Sequence, residues 1–401
     1  MKVGKLLIVV LAALPFSAYA FDYGVDVLDS TMYLSDGTGL VQQSRATAWF
    51  SLPVGDTANL YLSGFYEFKG SFSSTGVTVT PWRIDAGRNE YSGSAPGALG
   101  SSSILRWSIG RTSISDFSGW VLSGLYDGAH LELSVGNLTM TTSVAYTGLL
   151  NKDDALLAMD SRDRLIAGDS TQYFAPQRLL AGLGLRSVEL LPGHDFGVET
   201  WGQYDLGQGL AGTQTLWFEP FVEGRIGRVL SWRGWAAGEM FYDGNPTYSL
   251  AGGLLMRLVV PEALGLRATA SLAWSSGSAF GLVPFIPFKS NALDVLTGFT
   301  FENIMLPSLE LSLSPLPWLS PTLYGAPMFR TSDLVLGSTI IRPDATGIYM
   351  GSLVSLQASI RSVSDLTLSL SGGVFFPNSI DYFIASQTLK GTGSLYAVFS
   401  L

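Results

Sequence analysis

Residues 247–275, TYSLAGGLLMRLVVPEALGLRATASLAWS, alternate in hydropathy with a period of two. Leu254 and Met256 fall on one parity, whereas Arg257 falls on the other. Beyond Pro261 the alternation resumes, with Leu272 on the apolar parity. Successive side chains of a β-strand point to opposite faces of the sheet, so this period predicts two strands that each have one apolar and one polar face.

The same alternation fills Asp195–Ser275 and extends outward over most of the chain. Each alternating segment covers about 12 residues, which is close to the length that a tilted membrane-spanning strand needs. The apolar sets outside this stretch begin at Tyr23, Ala46, Ala58, Leu105, Ala129, Leu138, Leu179, Val295, Leu309, Ile348, Leu366 and Leu389. Such repetition is typical of a transmembrane antiparallel β-barrel.

The composition favours the same fold class. Only 14% of the 401 residues are charged and the mean hydropathy is +0.30, whereas about 25% of a typical soluble domain is charged. No long apolar helix follows Leu14. Because a bilayer requires every backbone polar group to be paired internally, a closed barrel is the remaining way to span it. The formal net charge of −9 argues against a nucleic-acid partner.

The first twenty residues have the features of a secretory signal peptide. Lys2 and Lys5 precede the apolar run Leu6–Leu14, and Ala18-Tyr19-Ala20 offers a small-residue cleavage site. The apolar run is too short for a membrane anchor, which needs about 20 residues. We therefore expect residues 1–20 to be removed near Ala20 and residues 21–401 to form one barrel domain.

The connections alternate between short turns and long loops, as the periplasmic turns and extracellular loops of outer-membrane barrels do. The strand count is 17 without Val77–Asp85 and 18 with it. Since single-chain bacterial barrels have even strand numbers, 18 is favoured and 16 stays open. Tyr91–Ser103, Asn151–Gln177 and residues 314–346 are predicted as loops, and Pro307 as a turn between two strands.

The chain resembles the bacterial outer-membrane β-barrels of porin type. The resemblance rests on the signal peptide, on the alternating strands, and on a last strand whose apolar parity includes Leu395, Ala397 and Phe399. In that class the last residue is usually aromatic, whereas Leu401 ends this chain. The resemblance implies the outer membrane of a Gram-negative-type envelope, insertion by the barrel-assembly machinery, a lipopolysaccharide-type outer leaflet, and small solutes as partners. It does not indicate an oligomeric state.

The polar parity carries charges of both signs. An Arg or Lys on the lipid face would cost about 2–4 kcal/mol at mid-membrane, so these side chains are expected in the lumen. The candidates are Arg45, Glu67, Arg106, Glu132, Arg178, Arg186, Glu199, Glu219, Glu223, Arg225, Arg233, Glu239, Arg257, Arg267, Glu302, Glu310 and Arg361. Two interpretations stay open: the charges brace a solvated wall, or they form a transverse field that selects ions.

Thr112–Tyr126 interrupts the alternation between two regular segments. It mixes the turn formers Asp116, Gly119 and Gly124 with apolar side chains that a water-exposed loop has little reason to carry. A loop folded back into the barrel would bury them and narrow the lumen, as the constriction loop does in porins that the chain resembles. The alternative is a segment that packs on top of the barrel or extends a strand. If the loop folds back into the barrel, Arg111 and Asp116 would also line the pore.

Catalytic and metal-binding patterns are weak. The sequence has two histidines, and His130 has no partner at a spacing that indicates a Ser–His–acid set. Asp160 and Asp163 fit either a Ca²⁺ site or a solvated loop. We expect no enzyme activity and no cofactor. The favoured function is a porin-like channel for passive diffusion of small hydrophilic solutes. The alternatives are a transporter of hydrophobic substrates, as in the fatty-acid-transporter type, and an adhesin or structural barrel.

Overall fold

The computed structural model describes residues 21–35, 39–74, 76–157, 159–209, 212–242, 244–278, 281–289, 293, 299–332, 347–378 and 390–400. The predicted signal peptide lies outside these residues. The described part contains 18 antiparallel strands in one sheet. Each strand pairs with its neighbours in sequence, and β1 pairs with β18 through partners such as Val27 and Phe399, which closes the barrel. The predicted transmembrane β-barrel and its favoured strand number are confirmed.

The strands have the following bounds: β1 Asp22–Leu34, β2 Gly39–Val54, β3 Ala58–Ser73, β4 Gly76–Pro96, β5 Ser103–Ser115, β6 Ser123–Val135, β7 Leu138–Tyr146, β8 Arg178–Leu191, β9 His194–Asp205, β10 Gln214–Ile226, β11 Leu230–Tyr242, β12 Pro246–Val260, β13 Leu266–Ser275, β14 Ile304–Ser312, β15 Leu319–Arg330, β16 Tyr349–Val363, β17 Leu366–Pro377 and β18 Lys390–Ser400. Two short helices, α1 Lys152–Ala155 and α2 Ser161–Gly168, lie between β7 and β8. Within the described ranges, neither helix is long and apolar enough to cross a membrane.

The two parities of the strands face opposite sides of the barrel, as the sequence predicts. On β12, the side chain of Leu254 is exposed on the outer face, whereas Ala251 on the other parity is buried. On β10, Phe218 is exposed, whereas Trp217 is almost fully buried. The apolar outer face suits contact with lipid, and the buried residues locate the packed interior within the lumen.

The predicted loop Tyr91–Ser103 is wrong over its first half, because β4 continues to Pro96. The glycines and serines of this segment suggested a loop, but Gly93 has a packing role. A Cβ at Gly93 would lie 2.6 Å from Cζ2 of Trp107 on β5. Glycine in the middle of a strand lets an aromatic side chain of the next strand cross close to the backbone.

The assignment around Pro307 is also wrong. Pro307 lies inside β14 and pairs with Leu272 of β13, so it does not make a turn. The ladder between β14 and β15 is interrupted between the pairs Met305–Phe329 and Leu309–Gly325. Because proline has no backbone N–H, a strand tolerates it where a ladder bond is missing.

The predicted loop 314–346 contains a strand, β15, and of the predicted strand from Val295 the described residues 299–303 lie outside any strand. Val295 lies outside the described residues, and Phe299 and Phe301 are buried inside the barrel ahead of β14. β14 takes the place of the two strands predicted on either side of Pro307, and β15 adds one strand, so the described residues contain 18 strands.

A bulge changes the orientation of Met350. The alternation predicts Met350 on the lipid-facing side with Val354, but Met350 is fully buried and Val354 is exposed. The register between β15 and β16 shifts at Met328, and Gly351 has a φ of 151°. An extra residue in one strand reverses the side-chain parity beyond it.

Candidate functional site: the barrel lumen

The tip of the β5–β6 hairpin leaves the barrel wall. The β4–β5 ladder ends at the pair Asn89–Arg111, and the β6–β7 ladder ends at the pair Asp127–Tyr146. In the strand ladders, residues 112–126, which we call the inner hairpin, pair only with each other. Their apolar side chains Ile114, Val121, Leu122 and Tyr126 are buried. The segment that interrupts the sequence alternation therefore coincides with the segment that folds inward, and its strands run to Ser115 and from Ser123.

Two carboxylates on β9 and β10 hold the end of the inner hairpin. The Phe117 N–H donates to Oε2 of Glu199 on β9 at 2.9 Å, and the Ser118 N–H donates to Oε1 of Glu219 on β10 at 2.9 Å. Glu219 is almost fully buried. Because buried carboxylates are costly without donors, these bonds fix the hairpin against the wall.

An aromatic contact supplements these bonds. The ring of Phe117 stacks on Phe221 of β10 with centroids 3.5 Å apart, and the guanidinium of Arg233 on β11 lies 4.5 Å from the centroid of Phe117. A cation over an aromatic face contributes about 0.5–1 kcal/mol at exposed sites. The hairpin tip thus reaches from β5 and β6 past β7 and β8 to β9, β10 and β11 on the lumen side of the wall.

Asp116 organises the turn of the hairpin. Its Oδ1 accepts from the Leu122 N–H at 2.6 Å, and its Oδ2 accepts from the Gly119 N–H at 2.9 Å and from the Ser118 hydroxyl. An Asp that bonds the backbone of its own loop stabilises a tight turn. Asp116 is buried by these contacts, so its carboxylate holds the loop together where it meets β9 and β10.

The described residues between β13 and β14, which are 276–278, 281–289, 293 and 299–303, also enter the lumen, and we call them the inner loop. The Phe288 N–H donates to the Val121 carbonyl of the inner hairpin at 2.9 Å, and the Ile286 N–H donates to Oε2 of Glu239 at 3.0 Å. Glu239, predicted to line the pore, is therefore covered by this inner loop. The two segments form an apolar cluster inside the barrel with Trp120, Val121, Leu122, Tyr126, Trp217, Trp235, Phe285, Phe288, Phe299 and Phe301.

The β7–β8 loop closes around Arg178. The Arg178 Nη2 donates to Oδ2 of Asp160 at 2.8 Å and to Oδ2 of Asp163 at 2.9 Å, and its Nη1 donates to Gln203 Oε1 at 3.0 Å. The Arg178 guanidinium is fully buried and lies against Asp160 and Asp163, where the calcium hypothesis placed a Ca²⁺ ion. Burial alone would raise the pKa of Asp160, but the hydrogen bond from the Asp163 N–H and the charge of Arg178 outweigh it and lower this pKa. Burial raises the pKa of Asp163.

The periplasmic half of the lumen is open and charged. Arg186 pairs with Asp195 and Glu223, and Arg233 donates to Glu223 Oε2 at 3.1 Å. These residues line a cavity of about 490 Å³. A second cavity of about 600 Å³ lies beside the Arg106–Glu132 pair. Arg225 and Arg257 also line the first cavity, and neither forms an ion pair with a described residue.

A third charged group lies on β2, β3 and β4. Glu67 is buried between Arg45 at 2.8 Å and Arg83 at 2.9 Å, and Arg45 lies 4.1 Å from the Phe65 ring centroid. The sequence interpretation included Arg45 and Glu67 but missed Arg83. The alternation of Val77 and Val79 indicates a strand in this region. A bulge in the β3–β4 ladder, between the pairs formed by Glu67 and Lys69, obscures the alternation further along β4.

Four of the predicted pore-lining residues do not join any of these charged groups. Arg267, Glu310 and Arg361 are exposed near the periplasmic ends of their strands, and none of them forms an ion pair within the ranges that the structure describes. Glu302 is half-buried in the inner loop, and burial raises its pKa. Arg111 lies at the bend of β5, where it donates to Asp127 at 2.9 Å, away from the hairpin tip. The sequence interpretation also missed Asp127.

Solved structures share this architecture. The barrel is similar to Pseudomonas aeruginosa OccK11 (OpdR). That structure has a TM-score of 0.59 and 12% sequence identity, over 95% of this chain and 96% of the other. Pseudomonas aeruginosa OccK2 (OpdF) has a TM-score of 0.59 at 12% identity, over 95% and 97% of the two chains. Pseudomonas aeruginosa OpdQ has a TM-score of 0.57 at 9% identity, over 95% and 98%. At these identities the similarity establishes the fold. No protein-family model and no curated protein matches the sequence.

Proposed function

We propose that the protein is a porin-like channel for passive diffusion of small hydrophilic solutes across a bacterial outer membrane. The observation that carries the proposal is the inner hairpin, which extends into the lumen of a closed barrel and is bonded to Glu199 on β9 and Glu219 on β10. Barrels of 16–18 strands enclose an aqueous channel unless something fills them. An inward hairpin narrows such a channel without removing it.

The charged lumen supports passage of hydrated solutes rather than of apolar ones. Arg186, Glu223 and Arg233 form a connected group around the cavity of about 490 Å³ on the periplasmic side, and Arg225 and Arg257 face the same space. Charges fixed along a water-filled lumen set ion selectivity. We assign the pore-lining role to these residues and the narrowest region to the space beside the inner hairpin.

Location and assembly belong to the same proposal. Residues 1–20 direct export and are removed near Ala20, and residues 21–401 insert into the outer membrane through the barrel-assembly machinery. The apolar outer face of the strands then contacts lipid, including a lipopolysaccharide-type outer leaflet. No enzyme activity is part of this proposal.

Single-channel recording of the purified protein in a planar bilayer tests the proposal. We expect discrete ohmic steps, and the reversal potential in a salt gradient will give the preferred ion sign. Protein that has assembled into a heat-modifiable barrel but inserts without raising conductance would contradict the channel function. The fold would be unaffected by that result.

A further inference from the structure

A carboxylate interrupts the apolar outer face of the barrel on β1. The odd-numbered side chains of β1 point outward, since Tyr23 is 73% exposed, Val27 is 42% exposed and Tyr33 is 56% exposed. Met32, on the other parity, packs against the buried cluster in the lumen. Asp29 has the outward parity, and the ladders of β1 with β2 and β18 pass it without a register shift. Its side chain therefore points toward lipid.

Asp29 lies well inside the membrane band of the barrel. It stands six residues beyond Tyr23 and four before Tyr33 on the same face of β1. Exposed aromatic side chains near the two ends of a strand mark the two interfaces. With a rise of about 3.3 Å per residue and a tilt of about 40°, Asp29 lies about 15 Å from the level of Tyr23 and about 10 Å from that of Tyr33. Together these heights match the apolar band of about 25 Å in such barrels.

Three neighbouring side chains extend the polar region. Ser44 of β2 is the register partner of Asp29. Gln42 is the register partner of Thr31, so all four side chains share the outer face. The Ser44 hydroxyl donates to Oδ1 of Asp29 at 2.6 Å, and Gln42 Nε2 donates to the same oxygen at 3.1 Å. We call Asp29, Thr31, Gln42 and Ser44 the outer patch.

The outer patch keeps unused donors and an unused acceptor. Within the described part of the chain, no group donates to Oδ2 of Asp29, and the Thr31 hydroxyl has no hydrogen-bond partner. Gln42 uses one of its two amide N–H groups and keeps the other. Acyl chains neither donate nor accept hydrogen bonds, so polar side chains at this depth normally face protein. The outer patch therefore has the chemistry of a protein contact.

A second copy of the chain supplies the complementary groups. Copies that insert in the same direction are related by an axis along the membrane normal, so each depth on one copy meets the same depth on the other. A two-fold axis beside β1 and β2 places patch against patch. Oδ2 of Asp29 can then accept from the Thr31 hydroxyl or the second Gln42 N–H of the other copy. The outer patch is thus self-complementary, as an isologous contact requires.

The strands on another side of the barrel offer no such complement. At mid-strand, the outer faces of β8, β10 and β12 present Leu183, Phe218 and Leu254, which are exposed and carry no polar group on their side chains. A ring of three or more copies would place the outer patch against a different face of the neighbouring barrel. Against such an apolar face its polar groups would stay unpaired. The two-fold arrangement is therefore favoured over a ring.

The surfaces beside the outer patch are complementary in shape. On one side, Tyr66 and Phe68 of β3 pack against Trp82 of β4 and form an aromatic ridge on the outer face. On the other side, Gly372 of β17 and Gly393 of β18 line a mostly apolar groove of about 610 Å³. The two-fold rotation brings β3 of one copy opposite β18 of the other. The ridge of each copy then faces the groove of its partner.

We propose that the outer patch joins two copies of the chain into a two-fold dimer within the membrane. Asp29 of each copy accepts hydrogen bonds from Thr31 or Gln42 of the other, and the aromatic ridges occupy the grooves. Each barrel keeps its own lumen. The dimer requires only insertion of the barrel into a membrane, so it is independent of whether the lumen conducts.

Because the chain has no cysteine, single cysteines can report on the contact. Ala46 is exposed on the outer face of β2, two residues beyond Ser44. In proteoliposomes at a low protein-to-lipid ratio, we expect a flexible bis-methanethiosulfonate to link Ala46→Cys into a covalent dimer on SDS gels. Leu254→Cys, exposed on β12, is the matched control and should stay monomeric. Linking of Leu254→Cys to the same extent, or no linking of Ala46→Cys, would overturn the dimer.

A second experiment tests the role of the carboxylate. Asp29→Leu removes a polar group from the lipid face, so the barrel should assemble and stay heat-modifiable. We expect its dimer association constant to fall about tenfold, measured by counting photobleaching steps with a dye on Glu262→Cys in the β12–β13 turn. Asp29→Asn keeps a hydrogen-bonding side chain and should retain most of the dimer. Single-channel step size should be unchanged in both variants.

Two outcomes of these experiments would assign the outer patch a different role. If Asp29→Leu lowers the yield of heat-modifiable barrel and leaves the dimer constant unchanged, the carboxylate only joins β1 to β2, and the proposal is wrong. If Ala46→Cys in intact outer membranes is linked to a different envelope protein and not to a second copy, the patch binds that protein instead, and self-association is excluded.

Discussion

Gly110 of β5 and Gly128 of β6 are register partners, and together they mark the bend at which the inner hairpin leaves the wall. A Cβ at Gly110 would lie 2.2 Å from the Asn89 carbonyl oxygen of β4, and a Cβ at Gly128 would lie 2.0 Å from the Val144 carbonyl oxygen of β7. Each glycine therefore lets its strand cross close to a different neighbour. Pairing with both neighbours ends one residue beyond, at Arg111 and Asp127.

The first prediction concerns this bend. Gly110 has a φ of 118°, so Gly110→Ala adds backbone strain of about 1–3 kcal/mol to the steric conflict with Asn89. We expect less heat-modifiable barrel on SDS gels and a wider spread of single-channel conductances. The control is Gly325→Ala, since a Cβ at Gly325 would meet nothing within 4 Å. Equal behaviour of the two variants would show that the bend does not need glycine.

The second prediction concerns the constriction. Replacing Ser113–Gly124 by a short turn removes the contacts with Glu199 and Glu219 but leaves intact the part of β5 up to Arg111 and of β6 from Asp127 that lies in the barrel wall. We expect the barrel to assemble and its single-channel conductance to rise. The double variant Phe117→Ala with Ser118→Gly keeps the chain length and serves as comparison. An assembled deletion variant with unchanged conductance would place the constriction elsewhere.

The sequence predicted the features that repeat along the chain. Alternation identified the outer face at Leu254 and the inner face at Arg257, because burial in a barrel depends on the parity of a residue within its own strand. It also identified Thr112–Tyr126, because a hairpin that leaves the wall is no longer exposed to lipid on one face. Both features depend on the pattern of neighbouring residues within a segment, so a single sequence is enough to predict them.

Features that depend on contacts between distant segments could not be predicted. Arg178 meets Asp160 through a loop whose course the alternation does not encode, and Phe301 looks like a lipid-facing residue until the inner loop is placed inside the lumen. Pro307 was misread because its tolerance depends on the missing ladder bonds of a neighbouring strand. In each case the deciding partner lies on another segment of the chain.

The third prediction tests the two faces of β12. Leu254 is exposed on the outer face, so Leu254→Arg should cost about 2–4 kcal/mol if the site lies near the membrane midplane. Arg257→Gln removes a lumen charge without an ion pair and should leave assembly intact. We expect a lower yield of heat-modifiable barrel only for Leu254→Arg. The opposite ranking would mean that the strand parity is inverted.

The fourth prediction concerns the buried guanidinium of Arg178. Arg178→Met leaves Asp160 and Asp163 without their shared cation, and breaking a buried ion pair from one side costs about 3–5 kcal/mol. Since the loop rather than the strand ladder contains both carboxylates, we expect the β7–β8 loop to become sensitive to limited proteolysis while the barrel stays heat-modifiable. The triple variant that also carries Asp160→Asn and Asp163→Asn removes the two loop charges, keeps Asp205 of β9, which lies 3.6 Å from Arg178, and should regain part of the protection. Protease sensitivity of the triple variant equal to that of Arg178→Met would show that the loop depends on the volume of the guanidinium rather than on its charge.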